Sequence, residues 1–247
     1  MKASPEAQLR LLELADIDAE LTRIEHRRRG LPEHAELARL EAKDGELRDS
    51  IAALTAQNSD LKREQAKAEA DVEQVRSRIE RDRQRLDGGM VNSPRELENL
   101  QSEMQSLHRR QSDLEEVALD VMERLETAQT ALATATSDRS RLAEELASVT
   151  AARDAAMAEF GEQSVKAGDR RVEVASSIPG ELLGLYDKLR TQHGGVGAAA
   201  LRHRRCQGCN LTINTVDLNS IKDAPDDEVL RCEECRRILV RAADSGL

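Results

Sequence analysis

The chain has 247 residues and a formal net charge of −10, with one Phe, one Tyr and no Trp. So few aromatic side chains argue against a large globular core. Charged residues make up 34% of the chain and hydrophobic residues 39%, a mixture typical of long helices that bury a narrow stripe.

The N-terminal sequence "MKASPEAQLR" lacks the apolar segment of a signal peptide, and no run in the chain approaches the length of a membrane span. We therefore expect a cytoplasmic protein with no membrane partner. In a reducing compartment, the four cysteines of the chain are better interpreted as metal ligands than as two disulfides.

Apolar residues recur along most of the chain with the alternating three- and four-residue spacing of a heptad. A short stripe of this kind, Leu14 to Ile24, precedes Gly30 and Pro32, which should break or kink the helix. The spacing resumes from Leu37 to Leu86 and again from Leu97 to Phe160, with most positions apolar. Two heptad runs on either side of one tight turn predict an antiparallel helical hairpin wound into a left-handed coiled coil.

The heptads also predict a register. If Leu86 faces Leu97 across the turn, the numbers of facing residues sum to 183, so Asp44 faces Arg139 (44 + 139 = 183). An ion pair between these two polar seam residues would fix the register more than it would add stability. We favour a monomeric hairpin because the turn is short and capped. A long intermolecular coiled coil could show the same heptads, so the oligomeric state stays open.

The turn between the two runs, "DGGMVNSPRE", contains a stop and a start signal. Gly88 and Gly89 supply the backbone freedom that ends a helix. Ser93 is a good N-cap, Pro94 suits the first helical position and Glu96 stands three residues after the cap. The second helix of the hairpin is therefore expected to begin at this point.

Capping does not explain the apolar pair Met90 and Val91 in this turn. The pair could cover the end of the seam, with one side chain packing on Leu97 as a hydrophobic staple. Alternatively, Met90 and Val91, together with Asn92 and Arg95, form a docking tip for a partner. The sequence leaves both interpretations open.

The composition changes after the hairpin. "KAGDRRVEVASSIPGE" is typical of a linker, and "IPGELLGLYDKLRTQHGG" predicts a short amphipathic helix closed by Gly194 and Gly195. From residue 196 onward come short β-prone pieces: "AAALRHRR", "NLTINTV", "DEVLR" and "RILVR". We expect a hairpin at 1–170 with a turn near 87–93 and a kink near 30–32, a linker and helix at 171–195, and a third region at 196–247.

The third region contains all four cysteines as two C-x2-C pairs, Cys206 with Cys209 and Cys232 with Cys235, separated by 22 residues. Such spacing predicts one tetrahedral zinc site made of two knuckles. Four thiolates leave no open coordination position, so the single zinc is expected to be structural. His203, three residues before the first pair, is an alternative ligand. The region lacks aromatic residues, and we expect the metal to supply much of its folding energy.

Three stretches together resemble a family of bacterial proteins that combine a long helical hairpin with a C-terminal four-cysteine zinc ribbon. These stretches are "VNSPRELENLQSE", "LLGLYDKLR" and "CQGCN…VLRCEECRRILV", in that order. Relatives have been linked to the control of flagellar and secretion genes, through an alternative sigma factor and RNA. The resemblance therefore implies an adaptor or regulator.

One residue departs from the usual ribbon pattern. The position after the second C-x2-C is usually Gly, and this chain has Arg236 there. A left-handed backbone at Arg236 would cost about 1 kcal/mol, so the second knuckle is expected to be slightly rearranged. Asn210, at the matching position of the first pair, tolerates that conformation well.

Basic residues flank both knuckles and suggest a nucleic-acid patch. The candidates are Arg202, Arg204, Arg205, Arg231, Arg236 and Arg237. However, residues 197–247 hold equal numbers of basic and acidic side chains and no aromatic platform for base stacking. The arginines could equally offset the anionic zinc–thiolate core. Contact with an RNA or DNA backbone stays open, whereas base-specific recognition is not supported.

An enzyme is not expected. The sequence has no Walker-type glycine loop, and its histidines show no spacing that suggests acid–base catalysis. Two hypotheses remain: an adaptor that presents the hairpin and the ribbon to protein partners, and a protein whose ribbon binds the RNA or DNA backbone. The identity of any partner cannot be predicted from the sequence.

Overall fold

The computed structural model describes residues 1–89 and 93–247. Within these residues the chain forms five helices: α1 (Pro5–Arg29), α2 (Pro32–Asp87), α3 (Pro94–Ser176), α4 (Gly180–Gln192) and α5 (Thr215–Asp223). It also forms four strands: β1 (Ala198–Arg202), β2 (Arg205–Cys206), β3 (Leu230–Arg231) and β4 (Ile238–Arg241). The fold is mainly α, a long antiparallel helical hairpin with a small C-terminal sheet, as the heptads and the β-prone pieces predict.

The first helix begins and ends where local signals place it. The Ser4 hydroxyl accepts a hydrogen bond from the Ala7 amide at 3.2 Å, and Pro5 occupies the first helical position. α1 ends at Arg29, Gly30 follows it, and α2 starts at Pro32. The chain therefore interrupts its helix at the Gly-Pro segment.

Residues 36–149 form one compact unit in which α2 and α3 run antiparallel. Leu61, Leu125 and Ala128 form a buried cluster in the seam. The polar seam residue Asn58 is also buried, and its amide donates to the Ala128 carbonyl at 3.1 Å and to the Leu54 carbonyl at 2.9 Å. Both N–H donors of the Asn58 side chain therefore have hydrogen-bond acceptors within the seam.

The predicted ion pair between Asp44 and Arg139 is confirmed, with 2.9 Å between Arg139 Nε and Asp44 Oδ1. Arg48, one turn along α2, lies 2.9 Å from the other carboxylate oxygen. The hydrogen bond from Arg139 is the main reason that the pKa of Asp44 lies below its ordinary value. A shift of the helices by one turn would separate these charges, so the pair fixes the register of the hairpin.

The helix ends at the hairpin turn follow the capping signals. The Gly88 amide donates to the Gln84 carbonyl at 2.9 Å, and Gly89 has a positive φ of 66°. The Ser93 hydroxyl accepts a hydrogen bond from the Glu96 amide at 3.3 Å, which caps α3.

The proposed docking tip lies mostly outside the described residues, which omit Met90, Val91 and Asn92. Arg95 is described and is exposed at the start of α3. The choice between a staple and a docking tip therefore stays a prediction.

Residues 1–35 and 150–247 form a second compact unit. Its four-stranded sheet has the order β2-β1-β4-β3, in which β1 and β4 are parallel and the outer pairs are antiparallel. The N-terminal segment joins this sheet region, because the Ala3 amide donates to the Asp227 carbonyl at 2.7 Å and Val229 donates to Met1 at 3.1 Å. The Gln8 side chain adds hydrogen bonds to the carbonyls of Ala3 and Asp226.

Two details of this unit differ from the sequence expectations. α3 runs without interruption to Ser176, so the segment expected to begin a linker at residue 171 starts as helix. "NLTINTV" was expected to be a β piece, but only Thr212 forms an isolated bridge, with Arg205, and α5 begins at Thr215. The reason is a cap: the Asn214 side chain accepts a hydrogen bond from the Asp217 amide at 2.9 Å.

The sheet lies between two cores. Residues of alternate parity along its strands point to opposite faces. One face, with Ala198, Ile238 and Val240, packs on the helices. The helical side of that core comprises Leu11, Leu14 and Ile17 of α1, Ala167 and Val174 of α3, and Leu182, Tyr186 and Leu189 of α4. The other face packs on α5 and the cysteines through Leu201, Leu218, Ile221 and Leu239. The ribbon is therefore part of the same folded unit as the ends of the long helices.

A buried carboxylate lies inside the helical core. Asp18 has 0% of its surface exposed, and it accepts hydrogen bonds from the Tyr186 hydroxyl at 2.7 Å and from Arg171 Nε at 2.8 Å. Arg190 Nε lies 3.1 Å from the same carboxylate. Arg171 also reaches Asp187 of α4 at 2.7 Å. One charged group of α1 thus binds both α3 and α4.

Among the described helices, none is both long and apolar enough to cross a membrane.

The environment of Tyr186 predicts an unusual titration. Burial, followed by the hydrogen bond to Asp18, raises the pKa of Tyr186 well above its ordinary value. Since the folded phenol holds its proton more tightly, its contribution to stability is complete below about pH 10 and is lost as the pH rises further. The chain has one Tyr and no Trp, so the tyrosinate absorbance band reports this group alone. We expect ionisation near pH 10 in denaturant and none at that pH in the folded protein; equal curves would contradict the buried pair.

Replacing Asp18 with Asn should lower the free energy of unfolding by about 3 kcal/mol, because it removes the buried negative charge that Arg171 and Arg190 share. Asp16→Asn, on the exposed side of the same helix, is the matched control and should change stability by less than about 0.5 kcal/mol. Urea unfolding followed by circular dichroism measures both variants. Equal stabilities for the two variants would show that the Asp18 charge does not hold the helices.

Candidate metal centre

The four cysteines lie on two knuckles with the same backbone geometry. The Asn210 amide donates to the Cys206 carbonyl at 2.8 Å, and the Arg236 amide donates to the Cys232 carbonyl at 2.8 Å. Asn210 and Arg236 have φ values of 60° and 59°. The expected rearrangement of the second knuckle is therefore not found: Arg236 adopts the left-handed conformation at its steric cost.

The cysteine sulfur atoms all lie within 4.8 Å of one another. Two of the separations cross between the knuckles, 3.8 Å from Cys206 to Cys235 and 3.9 Å from Cys209 to Cys232. A tetrahedral zinc with Zn–S bonds of about 2.3 Å places its sulfur atoms roughly 3.8 Å apart. The donor set and its spacing therefore fit a single zinc ion with four thiolate ligands.

The cysteine environments differ in the protein without zinc. Burial raises the pKa of the Cys206 thiol to about 12, although backbone amides of Cys209 and Gly208 oppose the shift. Burial likewise raises the pKa of Cys232. For Cys235 burial acts in the same direction, but hydrogen bonds with Arg237, Cys232 and Cys206 together outweigh it and lower the pKa. Because zinc binds thiolates, metal uptake must release protons and should strengthen as pH rises.

Arg237 has a structural role in the ribbon that the sequence analysis missed. Its half-buried guanidinium donates to the carbonyls of Val196 at 3.0 Å, His193 at 3.1 Å and Gly208 at 3.2 Å. Gly208 permits this approach, since an added Cβ would lie 3.0 Å from Arg237 Cδ and 2.9 Å from Ala199 Cβ. Arg237 thus joins the first knuckle to the end of α4.

The other five candidate arginines are exposed around the knuckles, and each has a contact within the chain. Arg204, Arg205 and Arg231 donate to backbone carbonyls, those of Gly246, Asn210 and Arg236. Arg202 and Arg236 lie near carboxylates, 3.7 Å from Asp244 and 3.2 Å from Glu233. The structure therefore separates Arg237, which is committed to the fold, from a set of more accessible arginines.

His203, the alternative ligand, does not belong to the metal-ligating cluster. It lies in the turn between β1 and β2, and both His203 and Arg204 have positive φ values, 46° and 64°. Residues of the C-terminal segment hold this turn, since the His203 amide donates to the Asp244 carbonyl at 2.8 Å.

The geometry predicts one zinc per chain, retained through purification and lost in a Cys206→Ser variant. Chelation should disrupt the knuckles and leave most of the helical circular dichroism signal, because the seam between α2 and α3 does not contact the metal. Elemental analysis and circular dichroism measure both effects. Purified protein without zinc, or a collapse of helicity on chelation, would contradict this assignment.

Replacing Arg237 with Gln should lower the free energy of unfolding by about 2 kcal/mol, because three backbone carbonyls lose a charged donor. Arg205→Gln is the matched control: its exposed guanidinium reaches one carbonyl, and we expect a change of about 0.5 kcal/mol. Thermal melts of both variants with zinc bound make the comparison. A larger loss of stability for Arg205→Gln than for Arg237→Gln would contradict the structural role of Arg237.

Comparison with known proteins agrees with this architecture. Residues 14–194 match the CT398-like coiled coil hairpin domain, and residues 205–239 match the C4-type zinc ribbon domain. An uncharacterized protein of Mycobacterium tuberculosis is 38% identical over 241 residues, which are 98% of each chain. One from Mycobacterium leprae is 26% identical over 221 residues, 90% of this chain and 94% of that protein.

Solved structures show the same fold. A structure from Mycobacterium smegmatis is 38% identical and covers 98% of this chain and 100% of its own, with a TM-score of 0.84. CT398 of Chlamydia trachomatis has 18% identity, covers 96% of this chain and 98% of its own, and gives a TM-score of 0.71. The chain therefore belongs to the CT398-like coiled-coil hairpin family, with a C4-type zinc ribbon whose four cysteines hold one structural zinc.

Proposed function

We propose that this protein is a non-enzymatic, zinc-binding adaptor or regulator that presents its helical hairpin and ribbon to protein partners. The observation that supports this proposal most is the closed donor set of four cysteines. Four thiolates occupy every position of a tetrahedral zinc and leave none for a substrate or water, so the metal stabilises structure and does not catalyse. From the family resemblance we propose that the adaptor acts in transcription or secretion control. We propose the cytoplasm as its location.

The arrangement of the ribbon supports the same proposal. Its sheet shares a core with α1, α3 and α4, and Arg237 connects the first knuckle to the end of α4. The zinc thereby stabilises the unit that contains the start of α2 and the end of α3. The heptad residues of α2 and α3 pack against each other within one chain. We propose that the hairpin acts as a monomer whose outer faces are available to other proteins.

The adaptor proposal is tested by reconstitution. Proteins captured on the zinc-loaded full chain are identified, purified and mixed with it, and light scattering after size exclusion gives the mass of any complex. We expect a saturable complex of defined stoichiometry that contains one copy of this chain. Failure of each purified candidate to form such a complex, or zinc-dependent turnover of a bound molecule, would overturn the proposal.

A second candidate function is contact with an RNA or DNA backbone, and one observation favours it. Arg204, Arg205 and Arg231 are exposed and donate to backbone carbonyls, and none of them forms a salt bridge with a carboxylate of residues 1–89 or 93–247. The equal numbers of acidic and basic side chains in residues 197–247 weaken this candidate.

A salt titration separates the two functions. Backbone-directed binding of single-stranded RNA or DNA should weaken steeply as salt rises, and Arg204→Gln with Arg205→Gln should reduce the slope by about two. Binding that is undetectable even at low salt would exclude this candidate and leave the adaptor.

A further inference from the structure

An open groove of about 600 Å³ lies between α2 and α3 in the unit formed by residues 36–149. Val72 of α2 and Ala118, Leu119 and Met122 of α3 form its apolar surface. Val72 and Ala118 belong to the heptad seam. Leu119 and Met122 lie beside the seam and face the groove. These two side chains widen the apolar stripe on this face of the hairpin.

The two side chains beside the seam are more exposed than the closure of a two-helix hairpin requires. Leu119 is 59% exposed and Met122 is 46% exposed, whereas the seam residue Val121 is 1% exposed. Positions outside the seam of a two-stranded coiled coil are usually polar, and 34% of this chain is charged. A pair of large apolar side chains, one helical turn apart in a groove, therefore marks a surface that a third helix could cover.

The groove is negatively charged. Arg76 lies 2.6 Å from Glu115, so these two opposite charges offset each other. Glu69 and Glu73, one turn apart on α2, receive hydrogen bonds from the neutral side chains of Gln65 and Ser77. Within the part of the chain that the structure describes, neither carboxylate forms a salt bridge, so both negative charges stay beside the apolar surface.

The neighbouring part of α3 has the same sign of charge. Residues 113–126 contain one basic residue, Arg124, and six acidic ones: Asp113, Glu115, Glu116, Asp120, Glu123 and Glu126. A second copy of this chain seated on the groove would bring carboxylates against carboxylates, which is unfavourable. The charge therefore selects a partner with basic flanks.

We propose that this groove is a docking site for a basic amphipathic helix of a partner protein. The apolar face of that helix covers Leu119 and Met122, and its lysine or arginine side chains meet Glu69 and Glu73. The two walls are antiparallel helices, so a third helix fits along the groove with its ridges between theirs. This inference rests on the proposed adaptor function and names the chemistry of one of its partners.

The probe is a synthetic helix-forming peptide of about 20 residues, with Leu on one face and Lys on both flanks. A second peptide of the same design carries Glu in place of Lys. Fluorescence anisotropy with the zinc-loaded full chain should show 1:1 binding of the Lys peptide and much weaker binding of the Glu peptide.

Leu119→Ser combined with Met122→Ser should weaken binding of the Lys peptide by roughly ten- to a hundredfold, because the apolar anchors are lost. Glu69→Lys with Glu73→Lys should weaken it by about tenfold or more.

Matched controls lie on the same helix. Val117 is 53% exposed and does not line the groove, so Val117→Ser tests the loss of any exposed apolar side chain. Glu144 and Glu145 lie on α3 outside the groove and outside residues 113–126, so Glu144→Lys with Glu145→Lys tests the change in net charge alone. Both controls should keep the dissociation constant within about twofold, and every variant should retain the melting temperature of the parent.

Three results would overturn the docking site: no binding of the Lys peptide, equal losses in the groove and control variants, or a dimer of this chain that Leu119→Ser with Met122→Ser abolishes. A reconstituted protein complex that ignores the groove variants would also overturn it, while leaving the adaptor function intact. Failure of all protein complexes together with intact peptide binding would instead contradict the adaptor function.

Discussion

The interaction of Asp18 with Arg171, Arg190 and Tyr186 is the constraint on which the unit formed by residues 1–35 and 150–247 depends. A carboxylate with no solvent exposure is stable only where donors and opposite charge surround it. The donors come from α3 and α4, and the guanidinium and the hydroxyl bind different oxygens of the carboxylate. A packing of α1 that buried Asp18 away from α3 and α4 would leave its charge without a partner. The cluster therefore selects one arrangement of three helices, and the sheet packs on the core that they form.

The zinc centre depends on this arrangement through Arg237. The knuckles could form in many small domains, since they need only two turns and four sulfur atoms. In this chain the guanidinium of Arg237 spans from the first knuckle to the end of α4, and Ile238, the next residue, enters the helical core. Metal binding and helix packing are therefore coupled over a distance of a few residues. Arg237 was a candidate for the nucleic-acid patch because of its charge, but in the fold it links the first knuckle to α4 through hydrogen bonds.

Much of the fold follows from the sequence because its signals are local or periodic. The heptads give the hairpin and, through Asp44 and Arg139, its register. The cysteine spacing gives the metal ligands, because two residues between thiolates fit one knuckle. Periodicity misses contacts between distant segments. Nothing in the spacing of Asp18 shows that Tyr186 will donate to it, although a lone tyrosine in an almost aromatic-free chain is a signal that a buried partner is needed.

Three sequence predictions differ from the structure because they did not include contacts or hydrogen bonds that form only in the fold. "NLTINTV" has the residue types of a strand, but one side-chain cap at Asn214 turns its second half into a helix. The boundary expected at residue 170 reflected a change in composition, whereas α3 continues because its buried face continues through Ala167 and Val174 onto α4. The cost expected at Arg236 was real but did not change the knuckle, because the backbone hydrogen bond to Cys232 holds the conformation.

The N-terminal segment has a consequence for the order in which the chain can fold during synthesis. Ala3 and Gln8 bind the backbone at residues 226–228, so these contacts cannot exist until those residues have been made. The segment between residues 36 and 149 needs no such late partner and can close on itself earlier. In the nascent protein, the apolar stripe of α1 stays uncovered until Ala167 and Val174 of α3 and the residues of α4 have been made.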